Sequence, residues 1–154
     1  MSIQIGQQAP NFTVVSTERT PVTLDQYKGK NLLLLFFPLA FTGTCTAELC
    51  STRDNIGVYE NANAEVLAVS VDSNASLKVF KEQNQFNFTL ASDFNKTASK
   101  AYDAFYDDFF GLHGVAKRSA FVIDKEGVIR YAEVLDNAGE LPNFDAIQST
   151  LASL

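Results

Sequence analysis

Residues 31–50 read NLLLLFFPLAFTGTCTAELC, and this stretch decides the fold. Every position from 32 to 37 is apolar, which predicts a central strand that is covered on both faces. The sequence then becomes polar and helix-like, and we expect a helix from 43 to 61. Cys45 and Cys50 lie just beyond this change from strand to helix, and the chain has no other cysteine.

A thiol at a strand-to-helix junction lies near unpaired backbone N–H groups and the positive end of the helix dipole. Both features stabilise the thiolate, which is the reactive form of cysteine. The position of Cys45 therefore indicates cysteine redox chemistry. Taken without its neighbours, a cysteine pair in an intracellular helix is more often two inert apolar side chains. A metal site is disfavoured because His113 is the only histidine and a fourth ligand is lacking.

The pattern along the chain predicts strands that alternate with helices, followed by a hairpin and a last helix. Strands are expected at 12–15, 21–24, 65–71 and 89–91, with a hairpin formed by 119–124 and 128–134. Besides 43–61, helical segments are expected at 25–29, 76–84, 95–105 and 142–154. This order predicts an α/β fold with a central mixed β-sheet flanked by helices, in a single domain that spans 1–154. It fits the thioredoxin-like fold, although other three-layer α/β folds have the same pattern.

Composition and charge narrow the possible functions. The chain has 154 residues, of which 46% are hydrophobic, and a formal net charge of −6. We find no cluster of lysines and arginines, so nucleic acid and anionic membrane surfaces are not expected partners. We find neither a signal peptide nor an apolar run of membrane-spanning length, and we expect a cytoplasmic protein. In a reducing cytoplasm a cysteine pair is more often catalytic than structural.

Helix geometry restricts how the two cysteines can react together. On an intact helix the Cα atoms of Cys45 and Cys50 are about 8.7 Å apart, and the side chains point to different faces. A disulfide requires Cα atoms within about 7 Å. A bond between these cysteines therefore requires the first turns of the helix to unwind.

The motif Pro38-x-x-x-Thr42-x-x-Cys45 resembles the active-site signature of the peroxiredoxins. The wider string of residues 36–54, FFPLAFTGTCTAELCSTRD, is similar to the AhpE-like subgroup. A second cysteine five residues after the first is a hallmark of the related Q-type (bacterioferritin-comigratory) proteins. The resemblance runs over nearly the whole chain, and its other matching segments are 6–12, 67–72, 90–94 and 117–124.

This resemblance implies a role for each motif residue. Cys45 corresponds to the peroxidatic cysteine, whose thiolate attacks a peroxide oxygen and becomes a sulfenic acid. Thr42 corresponds to the threonine that bonds the sulfur and the substrate, and Pro38 to the proline that shields the pocket. Arg118 corresponds to the arginine whose charge stabilises the thiolate and orients the peroxide. Cys50 corresponds to the resolving cysteine of Q-type enzymes, which implies an intramolecular Cys45–Cys50 disulfide.

The implied function is a thiol-dependent peroxidase for hydrogen peroxide, organic hydroperoxides or peroxynitrite, with no cofactor. Its reductant would be a thioredoxin-like protein or a small thiol, and the protein would be a monomer or a homodimer. A thiol–disulfide oxidoreductase or a redox sensor on the same fold is the alternative. The sequence leaves the roles of two residues open: Glu48 and Arg53 either support Arg118 or make ordinary helix-face contacts. We also expect residues 107–110 to form a mobile loop over a groove beside the site.

Overall fold

The apolar run forms the central strand of the sheet, as the sequence predicts. A computed structural model describes residues 3–154, and in it the run is strand β3, Asn31–Phe36. Strand β4, Ala64–Ser70, pairs with β3 in parallel, and β8, Ser119–Ile123, pairs with it in antiparallel orientation. Each β3 side chain is buried. A strand with neighbours on both edges and helices over both faces requires this uniform apolarity.

The complete sheet has seven strands in the order β2-β1-β5-β4-β3-β8-β9. Strands β3, β4 and β5 are parallel, and the outer pairs β2–β1, β1–β5, β3–β8 and β8–β9 are antiparallel. The predicted mixed sheet and the predicted final hairpin are thus confirmed. The remaining strands of this sheet are β1 (Thr13–Ser16), β2 (Pro21–Thr23), β5 (Thr89–Ser92) and β9 (Ile129–Val134).

Alternation along β3 divides the apolar interior into two cores. Leu32, Leu34 and Phe36 belong to the first core, together with Tyr102 and Phe121. The intervening side chains enter the second core on the opposite face of the sheet, where Cys45 also lies. The main members of this second core are Leu33, Leu35, Phe37, Cys45, Leu49, Tyr59, Leu77, Phe80, Val122, Ile147 and Leu151.

The long helix predicted over 43–61 is divided in two. Helix α1 is Gly43–Asp54, and helix α2 is Ile56–Asn61. Between them Asn55 leaves the helical conformation, with φ −111° and ψ 19°. Its side-chain amide donates to the carbonyl of Ser51 at 2.9 Å. Asparagine competes in this way with the backbone hydrogen bonds of a helix, which explains the break.

The other helices are α3 (Asn74–Asn84), α4 (Thr97–Ala101) and α5 (Phe144–Ala152). The prediction of a helical segment over 95–105 was therefore too long. Phe105–Tyr106 instead forms β6, which pairs with β7, Val115–Ala116, in a small separate sheet. The predicted helical turn at 25–29 is a 3-10 turn at Leu24–Tyr27. Within residues 3–154, no helix has both the length and the apolarity that crossing a membrane requires.

Candidate active site

The first turn of α1 presents Cys45 to the second core. A loop from Pro38 to Thr42 leads from β3 into the helix, and the first backbone hydrogen bond of α1 runs from the Thr46 N–H to the Thr42 carbonyl at 2.9 Å. Cys45 is the third residue of α1. The amides of the first helical turn have no intrahelical acceptor, so they give this end of the helix a partial positive charge. Cys45 thus lies at the N-terminal end of a helix, where the sequence places it.

Arg118 lies directly against the sulfur of Cys45. Its Nη2 donates to Sγ of Cys45 at 3.2 Å, although the two residues are 73 positions apart in sequence. Both residues are 1% exposed. In a buried site a cation at this distance stabilises the thiolate much more than it would in water. The structure therefore brings together the two residues on which the sequence-based hypothesis depends most.

Two further contacts hold the guanidinium of Arg118 in place. Nη1 donates to Oε1 of Glu48 at 2.7 Å. Nε and Nη2 both donate to the carbonyl of Ala138, at 3.1 and 2.9 Å. Glu48 lies one turn after Cys45 on α1, and Ala138 lies in the segment that follows β9. The guanidinium therefore joins three parts of the chain, since Arg118 itself immediately precedes β8.

Glu48 is a fully buried carboxyl group. Burial raises the pKa of Glu48 to about 7, against the opposing effect of Arg118. Burial lowers the pKa of Arg118, but its neighbours Glu48 and Cys45 outweigh this effect, so the pKa lies above its usual value. The guanidinium is therefore charged at every physiological pH. Of the two residues left open by the sequence, Glu48 is the one that contacts Arg118.

Arg53 makes other contacts. Its Nη1 donates to the backbone carbonyl of Asn84 at 2.6 Å, and its Nε donates to Asp54 at 2.9 Å. Cys50 lies on the same side of α1, half-buried, and its thiol lies 3.9 Å from Oδ1 of Asn84. The two cysteines therefore face different neighbours: Cys45 faces Arg118, and Cys50 faces the end of α3.

The loop that precedes the helix has a constrained backbone. Pro38, at the start of the loop, is buried, and Thr42 is exposed at the start of α1. The Thr42 hydroxyl donates to the carbonyl of Leu39 at 2.7 Å and makes no capping hydrogen bond. Its oxygen lone pairs can accept further hydrogen bonds at the helix entrance. Phe41, between Pro38 and Thr42, has φ +67°. This left-handed conformation is strained for a bulky residue, and strained residues of this kind cluster at functional sites.

Asp72 is a residue of the site that the sequence reasoning did not identify. Its Oδ2 accepts the backbone N–H of Ala40 at 2.8 Å and the hydroxyl of Ser70 at 2.6 Å. Ser92 also donates to the Asp72 backbone carbonyl at 2.6 Å. Since β3 and β4 are parallel, the residues after both strands lie at the same edge of the sheet, and this pairing is the signal that could have identified Asp72. Asp72 follows the neighbouring strand β4, and its contact with Ala40 thus fixes the loop that contains Phe41.

The loop at 107–110 borders a groove, as predicted. The groove has a volume of about 570 Å³. It reaches the segment that holds Arg118, because Ala138 lines it. The mobility of the loop stays a prediction. The lining residues are Tyr106, Asp108, Phe109, Phe110, Asp136, Asn137, Ala138 and Gly139.

The sequence matches the model of the AhpC/TSA family over residues 5–132. The chain belongs to this family, and it is a peroxiredoxin. It is 39% identical to alkyl hydroperoxide reductase E of Mycobacterium tuberculosis over 99% of this chain and 98% of that protein. It is 37% identical to the chloroplastic peroxiredoxin Q of Triticum aestivum over 82% of this chain and 57% of that protein.

Solved structures agree with the fold. The peroxiredoxin-like protein of Aquifex aeolicus superposes with a TM-score of 0.90 and 25% identity, over 99% of this chain and 88% of that one. The thioredoxin-like fold and the family resemblance inferred from the sequence are thus confirmed. This peroxiredoxin is an enzyme with thiol-dependent peroxidase function.

The contacts of Asp72 lead to a first prediction. Asp72→Ala removes the acceptor of the Ala40 N–H, and losing a hydrogen bond to a charged group costs about 1.5–3 kcal/mol. We expect oxidation of Cys45 by peroxide to slow about ten- to a hundredfold, as this energy corresponds to that factor in rate. Rapid-mixing kinetics with a thiol titration would measure the rate.

Asp72→Asn is the matched control because its side-chain oxygen can still accept from Ala40. We expect this variant to recover most of the rate. Equal slowing in both variants, or none in either, would show that the contact with Ala40 does not position the loop.

Proposed function

We propose that Cys45 is the peroxidatic cysteine of this enzyme. The observation that carries this assignment is the buried contact of 3.2 Å between its Sγ and Nη2 of Arg118. Cys50 has no comparable contact, since its thiol points to the neutral side chain of Asn84 at 3.9 Å. The charge of Arg53 also acts on Cys50, but its guanidinium donates to Asp54 and to the Asn84 carbonyl rather than to the sulfur. A charged donor on one sulfur and a neutral acceptor near the other distinguish the two thiols, and the one that favours a thiolate is Cys45.

The chemistry follows from this geometry. The Cys45 thiolate attacks one oxygen of the peroxide, the O–O bond breaks, and the sulfur becomes a sulfenic acid. The second oxygen leaves with the bonding electron pair and is protonated to water or an alcohol. Arg118 and the first amides of α1 stabilise the negative charge as it moves from sulfur to oxygen. Thr42, at the entrance to the helix, presents a hydroxyl oxygen to the incoming peroxide, and the buried Pro38 is the proposed shield of the site from water.

Cys50 is the proposed resolving cysteine. Its thiolate attacks the sulfenic sulfur of Cys45, the S–O bond breaks, and a disulfide forms while the leaving hydroxide takes a proton from solvent to become water. Both cysteines belong to α1 in the structure, so the separation of about 8.7 Å expected for an intact helix applies. The reaction therefore needs the start of α1 to unwind. Gly43, Thr44 and Thr46 have weak helix propensity, which lowers the cost of this change.

The reductant that regenerates the dithiol belongs to the proposal as well. A thioredoxin-type protein is supported by the name of a structural relative, thioredoxin peroxidase I of Plasmodium yoelii, which is 29% identical over 97% of this chain. A small thiol is the alternative. The preferred peroxide, the monomeric or homodimeric state and the cytoplasmic location stay predictions from the sequence.

Single cysteine variants test the two roles. Cys45→Ser should reduce peroxide consumption to the background rate, because the attacking thiolate is lost. Cys50→Ser should consume one equivalent of peroxide at the normal rate and then stop as a sulfenic acid, which a dimedone-type reagent traps for mass spectrometry. Full steady-state turnover in both variants with a thioredoxin system would contradict the assignment.

Hydrogen exchange tests the proposed unwinding. When the disulfide forms, the amides from 44 to 53 should lose protection, because α1 cannot hold both cysteines at bonding distance. The amides of β3 should keep theirs, because that strand is paired on both edges. Exchange followed by mass spectrometry on the reduced and oxidised enzyme would show the difference.

The Cys50→Ser variant is the control for this experiment. Oxidised with one equivalent of peroxide, it cannot form the disulfide and should keep an ordered helix. If the unmodified enzyme forms the Cys45–Cys50 disulfide but α1 stays as protected as in the reduced state, the proposed unwinding is wrong.

A further inference from the structure

One buried cation lies between two groups that can both be negatively charged. Arg118 donates from Nη1 to Glu48 and from Nη2 to Cys45, at 2.7 and 3.2 Å. Glu48 is 0% exposed, and the other two residues are 1% exposed. Within the described chain, Arg118 is the one cationic side chain that bonds either group. If a thiolate and a carboxylate were present together, the site would carry an excess negative charge away from water.

The second carboxyl oxygen of Glu48 shows which group stays neutral. Its Oε2 is buried and has no hydrogen-bond partner among residues 3–154. An ionised carboxylate would leave charge on this unpartnered oxygen, and a buried charge without a partner costs far more than a buried neutral group. The sulfur of Cys45, in contrast, accepts directly from the guanidinium. The geometry therefore favours a thiolate beside a protonated carboxyl group.

The surrounding charges leave this balance unchanged. On α1 the titratable groups beside Arg118 are Cys45 and Glu48. Toward the surface, Lys117 pairs with Asp136 at 3.1 Å and contacts the ring of Tyr106. Burial raises the pKa of the Tyr106 phenol, on which Lys117, Asp136 and Arg118 act more weakly, so this group is neutral at physiological pH. Asp136 and Lys117 neutralise one another, and both are outside the buried triad. The burial that raises the pKa of Glu48 acts in the direction that the geometry requires.

We propose that Cys45 and Glu48 share one proton across Arg118, and that Glu48 stores it while the sulfur is a thiolate. The inference rests on the proposed role of Cys45. When peroxide converts the thiolate to a neutral sulfenic acid, the competing negative charge disappears, and Glu48 ionises to pair with Arg118. The step is balanced: thiolate, carboxylic acid and hydrogen peroxide give sulfenic acid, carboxylate and water. The proton that Glu48 releases thus matches the one that the leaving hydroxide takes up.

Glu48 is a positioning residue in this account, because it contacts Arg118 rather than the peroxide. Its charge follows the state of the sulfur, so the guanidinium always has one full anionic partner. In the reduced enzyme that partner is Cys45, which keeps the thiolate reactive. After oxidation the anionic partner of the guanidinium is Glu48. This change releases the sulfur from Arg118 before Cys50 approaches.

Proton balance in a single oxidation tests the proposal. The enzyme carrying Cys50→Ser is mixed with one equivalent of hydrogen peroxide in weak buffer just below neutral pH, with a pH indicator and a peroxide assay. With Glu48 present, we expect no net proton uptake. With Glu48→Gln added, the leaving hydroxide must take its proton from solvent, and we expect about one proton per peroxide. Glu60→Gln, at an exposed position of α2, is the matched control and should behave like the parent.

Equal proton uptake with and without Glu48 would overturn the shared proton. The peroxide assay keeps the two claims separate. If the Cys50→Ser enzyme consumes no peroxide, the role of Cys45 itself is wrong. If it consumes one equivalent and the proton balance does not depend on Glu48, only the present inference is wrong.

An infrared difference spectrum tests the same inference without altering the site. In the unmodified enzyme, oxidation should remove a carboxylic acid band and add a carboxylate band. Glu48→Gln should lack both changes, whereas Glu60→Gln should keep them. The absence of a carboxylic acid band in the reduced unmodified enzyme would place the proton elsewhere and overturn the proposal, even if Glu48→Gln did not fold.

Discussion

The buried guanidinium of Arg118 is the constraint on which the rest of the site depends. Taking a cation out of water costs several kcal/mol, which only well-placed anions and hydrogen bonds offset. Glu48, Cys45 and the carbonyl of Ala138 supply them from two other parts of the chain. If any one of them moved away, part of that cost would remain. The arrangement therefore fixes the position of α1 relative to β8, and with it the position of the sulfur.

The same helix must be ordered for one step and unwound for another. In the reduced state its first turn places Cys45 against Arg118. Its last turn is tied to the end of α3, where Arg53 donates to the Asn84 carbonyl at 2.6 Å. The middle of α1 carries Cys50 and lies between these two attachments. Oxidation removes the thiolate charge from the first turn, and when Cys50 then reacts with Cys45 the helix unwinds from the end where the chemistry occurs.

The sequence predicts the strand β3 and the junction after it from local patterns alone, whereas the proposed role of Cys45 also needed the family motif. Arg118 needed the family motif, because a contact across 73 residues leaves no trace in periodicity. The contact of Glu48 was open for the same reason: it and Arg53 are both polar residues on one helix. The break at Asn55 was not predicted, because the helical apolar pattern continues on both sides of it. The competition of one asparagine side chain with the helix backbone is a weaker signal in the sequence than that pattern. Asp72 acts through the neighbouring ends of β3 and β4, which only the sheet order reveals.

The most direct test of the role of Arg118 is the rate at which hydrogen peroxide oxidises Cys45 in Arg118→Met, measured by rapid mixing with a thiol titration and with Cys45→Ser as the blank. Arg130→Met is the matched control, since Arg130 pairs with Asp124 at 2.7 Å and has a half-exposed side chain. A cation in contact with an acid favours its charged form by about one to three pH units. We expect oxidation of Cys45 to slow at least about tenfold in Arg118→Met and to keep its rate in the control, because the variant loses the cation that stabilises the reactive thiolate. An equal rate in the unmodified enzyme and in both variants would contradict the central role of Arg118.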